Sequence, residues 1–246
     1  YGGIQSRQLR NQRDGTLDLT DIKNAIRTKD DHFPETGMIC LENTHNRCFG
    51  APLSISYMNS VSNIAKEHHL KIHVDGARIF NAAASLNTSV KKLVSVANSI
   101  SFCLSKGLSA PVGSLVCGSQ EFIAKARRIR KSLGGGMRQA GITAAAGLEA
   151  LDTMIERLKD DHENARKLAE GIQNISGLFL NLNNIHSNIV YFEIKTENGK
   201  TFLERMAGNG VLFFQISPGI FRMVTHYGIT SEDIDRVLKL LEDELS

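Results

Sequence analysis

The sequence lacks a long apolar run, a block of like charge and a closely spaced pair of cysteines. Its densest apolar stretches have the length of a strand, whereas a membrane-spanning helix needs about 20 apolar residues, so we expect no membrane contact. The net charge is only +3, from 29 Lys and Arg against 26 Asp and Glu, and the charges are scattered along the chain. We therefore predict no nucleic-acid partner.

The start of the chain has neither an initiator Met nor a signal-like apolar core. We interpret the sequence as beginning inside a longer protein. The cysteines form no CxxC pair, and most lie in apolar runs where a reduced thiol behaves as a small hydrophobic group. This favours a reducing compartment, the cytoplasm or the mitochondrial matrix, without a disulfide framework. His68, His69 and His73 could suggest a metal site, but no Cys or carboxylate completes a ligand set at helical or loop spacing, so we predict none.

The first part of the chain has an alternating pattern of strands and helices. Apolar periodicity predicts strands at 38–42, 70–74, 99–104 and 112–117, and helices at 53–69 and 120–132. Such alternation predicts an α/β fold whose mainly parallel sheet has helices on both faces.

The second part begins with a helical stretch over 139–173. Four predicted strands follow at 178–182, 188–194, 211–214 and 220–224, with helices at 201–207 and 231–245. We predict a large domain at 1–150, then linking helices and a small α+β domain at 151–246.

Three polar loops follow the strands of the first part, at 43–46, 75–78 and 105–107. Ligands of parallel sheets bind beyond the carboxyl ends of the strands, so we expect these loops to share one edge. Asp75 and Arg78 could form a loop salt bridge, and Lys106 could be an ordinary surface lysine. Together, however, an acid and a lysine at one edge are the two groups that a pyridoxal-phosphate (PLP) enzyme needs.

Four motifs carry a resemblance to a known family: LENTHN at 41–46, HVDGARIFNA at 73–82, SKGLSAPVGS at 105–114 and LGGGMRQAG at 133–141. Their residues and order closely resemble those of the threonine aldolases. The resemblance implies the aspartate-aminotransferase-like fold, called fold type I, and a homodimer or homotetramer with shared active sites. It also implies a preceding segment with a phosphate cradle, so the sequence looks truncated at its amino end.

The same resemblance implies roles for particular residues. Lys106 would hold PLP as a Schiff base beside Ser105, and Asp75 would face the pyridine nitrogen. Arg78 would lie beside the cofactor and, with Arg222, would bind the substrate carboxylate.

Three further residues resemble family positions. His32 is similar to a histidine that approaches the β-hydroxyl of the substrate, and Lys131 and Arg138 resemble residues at the active site or subunit contact. The implied reaction is the cleavage of L-threonine or L-allo-threonine to glycine and acetaldehyde. The alternatives are another fold type I lyase that eliminates at Cβ, and a catalytically silent remnant.

Overall fold

The computed structural model describes residues 2–195 and 198–245. Its strands form two four-stranded sheets, ordered β1-β2-β3-β4 and β5-β6-β8-β7. The strands are β1 (Met38–Glu42), β2 (Lys71–Asp75), β3 (Ser99–Cys103), β4 (Ser114–Gly118), β5 (Leu178–Phe179), β6 (Ile189–Ile194), β7 (Phe214–Ser217) and β8 (Ile220–Val224). The helices are α1 (Leu19–Ala25), α2 (Ile55–Glu67), α3 (Ile79–Ser85), α4 (Val90–Leu93), α5 (Gln120–Ser132), α6 (Gly141–Thr153), α7 (Leu158–Gln173), α8 (Gly199–Gly208) and α9 (Ser231–Leu245).

The first sheet is mainly parallel, as predicted. β1, β2 and β3 run in the same direction, and β4 lies antiparallel beside β3. Inward-pointing residues such as Ile39, Val74 and Ile100 pack against α2, α3 and α4 in one apolar core. Burial of these alternate side chains fixes the register, since a shift of one residue would turn them to the opposite face.

Helices on both faces of this sheet were expected, and the described residues correct that expectation. The face opposite the core carries Met38, Lys71 and Asp75, which are exposed. The strands therefore alternate between buried and exposed residues, whereas a sheet covered on both faces has nearly continuous apolar strands.

The second sheet is antiparallel and packs against α7, α8 and α9. Its core contains a cluster of four aromatic rings, with neighbouring centroids 5.4 to 5.8 Å apart, a spacing at which aromatic pairs attract one another. The rings belong to Phe192, Phe202, Phe213 and Phe221. The division into a large domain at 1–150 and linking helices with a small domain at 151–246 stays a prediction.

Three predicted elements differ from the structure by more than two residues at an end. The predicted helix 139–173 divides into α6 and α7, because the chain turns at 154–157 and buries Leu158. The strand predicted at 178–182 ends at Phe179, where the Asn181 side chain accepts a hydrogen bond from Asn183 N and starts a 3-10 turn. The strand predicted at 211–214 begins only at Phe214, because Val211 N still bonds to the last turn of α8.

None of the described helices is both long and apolar enough to cross a membrane.

Candidate active site

The carboxyl ends of β1, β2 and β3 lie side by side and form one rim. Glu42 pairs with Asp75, and Asp75 pairs with Ser101. Two backbone hydrogen bonds extend this alignment into the loops: Asn43 N donates to Asp75 O at 2.8 Å, and Gly76 N donates to Ser101 O at 2.7 Å. The first two predicted polar loops therefore begin side by side, and the loop with Lys106 follows β3 at the same edge.

Gly76 allows the close contact between two of these strand ends. A Cβ atom at this position would lie 2.9 Å from Ile100 Cδ1 and 3.1 Å from Ser101 O. Both distances are shorter than ordinary van der Waals contacts, and one of them is to backbone, which cannot move aside independently. A glycine is therefore required directly after Asp75.

Asp75 and Arg78 do not form the loop salt bridge that the sequence allowed. The Asp75 side chain is exposed and accepts a hydrogen bond from Ala77 N at 3.2 Å. Across residues 2–195 and 198–245 its carboxylate has no cationic partner, so its negative charge is available to a bound group.

Lys106 lies in a tight loop that follows β3. Ser109 N donates to Lys106 O at 2.9 Å, and Ser109 adopts a left-handed conformation with φ 57°. The adjacent Gly107 is buried so closely that a Cβ atom would lie 2.9 Å from both Asn81 and Leu158. The close contacts of Gly107 with Asn81 and Leu158 thus anchor the loop. Ser105 and Lys106, in contrast, are exposed. The Lys106 amine makes no ion pair within the part of the chain that the structure describes.

Arg78 and Arg222 converge on one side-chain oxygen. Arg78 Nη1 donates to Asn46 Oδ1 at 3.2 Å, and Arg222 Nη1 donates to the same oxygen at 3.0 Å. Arg222 comes from β8 of the second sheet, so this contact joins the two sheets at the rim. Burial and, after it, the positive charge of Arg222 lower the pKa of Arg78.

Positive charge in this cluster is only partly compensated. Arg222 Nε is buried without a hydrogen-bond partner, and the guanidinium lies 5.6 Å from the Phe214 ring centroid. Neither arginine forms an ion pair within the described ranges. Unpaired guanidinium groups with free N–H donors are suited to bind a carboxylate.

The other residues that the sequence indicated lie apart from this cluster. His32 is in the turn before β1, where its side chain is 86% exposed and its Nδ1 atom lies 2.9 Å from Asp30 Oδ1. Lys131 lies in the last turn of α5, and its side chain covers Gly136 so closely that a Cβ atom there would lie 2.6 Å from Lys131 Cδ. Arg138 is also exposed. Arg78 and Arg222 therefore meet on Asn46, while Asp75 ends β2 and Lys106 follows β3 at the same rim. Within the described residues, no contact joins His32, Lys131 or Arg138 to these groups.

Two residues of the site were missed by sequence reasoning. Asn46 was part of a motif, and its position in a polar loop after β1 was a signal that it could line the site. Tyr191, whose hydroxyl donates to Asn46 O at 3.0 Å, lies in an apolar strand of the second sheet and gave no such signal.

Comparison with known proteins shows the family of the chain. The family described as Beta-eliminating lyase matches residues 1–195. A probable low-specificity L-threonine aldolase 2 of Arabidopsis thaliana is 44% identical over 98% of this chain and 69% of its own length.

Solved structures extend the comparison at the level of the fold. The threonine aldolase of Leishmania major superposes with a TM-score of 0.76 at 19% identity, over 96% of this chain and 69% of that one. A PLP-dependent aminotransferase from Streptococcus suis gives a TM-score of 0.71 at 19% identity, over 97% and 64%. The chain spans about two thirds of the length of these proteins. Its fold is that of fold type I PLP enzymes, and the chain belongs to the threonine aldolases of the β-eliminating lyase family.

Proposed function

We propose that this chain carries the catalytic rim of a PLP-dependent threonine aldolase, which cleaves L-threonine or L-allo-threonine to glycine and acetaldehyde. One observation carries the proposal. The rim of the first sheet bears an unpaired carboxylate, Asp75, and the exposed Lys106 on the next loop. Arg78 of the same rim meets Arg222 of the second sheet on Asn46, and neither arginine has a carboxylate partner within the described residues. Lys106 and Asp75 would bind the cofactor, and the two arginines would bind the carboxylate of an amino-acid substrate.

The residues at the rim fit the cofactor. Lys106 has a free, exposed amine that would bond to the aldehyde carbon, and Ser105 would lie beside it. Asp75 has no cation of its own, so it would hold the proton on the pyridine nitrogen. When bound, PLP supplies an electron-withdrawing ring that stabilises the negative charge left at Cα of the substrate.

Arg78 and Arg222 would bind the substrate carboxylate. Both carry N–H donors in a partly buried setting, where a hydrogen bond between charged groups is stronger than in water. The two attachments, one through the amine and one through the carboxylate, would fix the orientation of the Cα–Cβ bond. Such positioning accounts for much of the rate acceleration of an enzyme.

His32 remains our proposal for the base that removes the proton of the β-hydroxyl, directly or through a water molecule. His32 lies in an exposed turn before β1, at the amino ends of the strands, so this role requires the turn to extend to the rim at their carboxyl ends. Lys131 would assist at the carboxylate, and Arg138 would lie at the active site or at a subunit contact.

We also propose that the protein forms a homodimer or homotetramer with shared active sites. Large apolar side chains on and around α5 and α6 support this, because exposed apolar surface of this extent is typical of an interface. They include Ile129, Leu133, Met137, Ile142 and Leu148, which are between 50% and 84% exposed. The four free cysteines support a reducing compartment, the cytoplasm or the mitochondrial matrix.

A second candidate is elimination at Cβ, because the matching family is described as Beta-eliminating lyase. The products of the reaction distinguish the two activities. An aldolase releases glycine and acetaldehyde from threonine, whereas an eliminating lyase releases no glycine.

The test is to incubate the full natural protein with PLP and L-threonine and to measure both products. We expect glycine and acetaldehyde in equal amounts, loss of both in Lys106→Ala, and normal production in Lys91→Ala, which removes an exposed lysine of α4. Ammonia without glycine would favour elimination, and no product from a protein that binds the cofactor would contradict both activities.

A further inference from the structure

Asn46 lies between the two arginines and is itself fixed from three directions. Its Oδ1 atom accepts hydrogen bonds from Arg78 Nη1 at 3.2 Å and from Arg222 Nη1 at 3.0 Å. Its backbone N donates to Glu42 Oε1 at 2.9 Å, and its backbone O accepts from the Tyr191 hydroxyl at 3.0 Å. An exposed loop residue would be free to move, whereas Asn46 is held by both sheets.

The shared oxygen counteracts repulsion between two like charges. Arg78 and Arg222 belong to different sheets, and each positive charge opposes the approach of the other. A common acceptor holds both Nη1 atoms at hydrogen-bond distance and so limits their separation. Without it, the guanidinium groups would move apart or turn toward solvent.

The side-chain amide of Asn46 is also neutral, whereas the usual partner of an arginine is a carboxylate. A carboxylate in this position would satisfy the N–H donors and cancel positive charge. An amide orients the donors with one oxygen and adds no negative charge, so the nearby Glu42 carboxylate offsets part of the Arg78 charge and the remainder is available to an incoming anion. The unpartnered Arg222 Nε is consistent with donors that are oriented but not saturated.

We propose that Asn46 is a positioning residue that aligns Arg78 and Arg222, across the junction of the two sheets, for the carboxylate of the substrate. This inference rests on the proposed function, in which the two arginines bind that carboxylate. Asn46 does not touch the reacting bonds. It raises affinity by fixing the two donors before the substrate arrives, since donors fixed in advance lose less freedom on binding.

The first test compares Asn46→Ala with the unchanged, PLP-loaded protein. We expect the KM for L-threonine to rise about tenfold, the typical effect of losing one hydrogen bond to a charged group, with kcat nearly unchanged. The control is Asn63→Ala, which removes the same side chain from an exposed position of α2 and should leave both constants unchanged.

A binding measurement separates this inference from the proposed activity. The probe is 3-hydroxybutyrate, which has the carboxylate and β-hydroxyl of threonine but no amine to react at the cofactor. By calorimetry we expect Asn46→Ala to bind it about tenfold more weakly than the unchanged protein does. A protein that binds the probe but does not cleave threonine would contradict the proposed function and leave the Asn46 inference intact.

The variant Asn46→Asp should change stability and affinity in opposite directions. The new carboxylate would pair with both arginines, so we expect the unfolding temperature to rise while affinity for 3-hydroxybutyrate falls further than in Asn46→Ala. This variant keeps the acceptor and remains informative if Asn46→Ala fails to fold. The inference is overturned if either variant binds the probe as tightly as the unchanged protein, or if kcat falls while KM does not change.

Discussion

Gly76 illustrates how one small residue determines the geometry of the rim. It follows Asp75 directly, and its missing side chain lets β2 approach the end of β3 within hydrogen-bond distance. Any larger residue would have to displace Ile100 or the backbone of Ser101. The position of the Asp75 carboxylate therefore depends on its neighbour as much as on its own strand.

Replacing Gly76 by Ala should destabilise the protein by about 1–3 kcal/mol, the usual cost of forcing an extra carbon into a packed region. Urea denaturation measures this change. Gly141→Ala is the matched control, because a Cβ at that position meets nothing within 4 Å and Ala favours the helix that begins there. Equal stability of the two variants would contradict the proposed role of Gly76.

The contact between α3 and α7 joins the large sheet to the helix that leads into the second sheet. His162 of α7 lies with Nε2 at 3.1 Å from Asn81 Nδ2 of α3, so the amide donates to an unprotonated ring nitrogen. Burial lowers the pKa of His162 from 6.5 to about 4. The histidine therefore stays neutral in the folded protein at pH values where it is protonated in the unfolded chain.

This difference in the pKa of His162 predicts that the folded protein becomes less stable as the pH decreases. Below pH 6.5 the unfolded chain binds a proton at His162 and the folded protein does not, so unfolding becomes easier as the pH drops toward 4. The full effect is about 3 kcal/mol, since one pKa unit corresponds to about 1.4 kcal/mol. In His162→Gln, which keeps an acceptor for Asn81, urea unfolding between these pH values should depend less on pH. An unchanged pH profile would show that another group is responsible.

Elements with clear periodicity and clear ends were predictable from the sequence. α5, β8 and α9 begin and end where the pattern predicted, and Ser119 caps the first of them by accepting a hydrogen bond from Phe122 N. β7 was not predictable, because Val211 bonds to the last turn of α8 and Phe213 packs in the aromatic cluster instead of pairing in the sheet. Apolar character alone does not distinguish these two environments.

The candidate site also has one part that the sequence predicts and another that it does not. The positions of Asp75 and Lys106 could be predicted, because Asp75 ends one strand of a mainly parallel sheet and Lys106 follows the next, where such loops gather. The Arg222 role came only from family resemblance, and the meeting of Arg222 with Asn46 joins residues 176 positions apart. Local patterns contain no information about such a contact, which depends on how the second sheet packs against the first.

Under the proposed function, the molecule divides its task between the two sheets. The parallel sheet supplies Asp75 and the loop that carries Lys106, and the antiparallel sheet supplies Arg222. A cofactor held by the first and a carboxylate held partly by the second would place the substrate at their junction. Asn46 and Tyr191 are the residues that connect the two sheets at this point.

Chemical trapping of the cofactor tests the central claim most directly. The full natural protein is mixed with PLP and reduced with borohydride, and the modified lysine is identified by peptide mass spectrometry. We predict that Lys106 carries the label, and that L-threonine added before reduction lowers the labelling because the substrate amine replaces Lys106. Labelling of another lysine, or none at Lys106, would contradict the assignment of this rim as the active site.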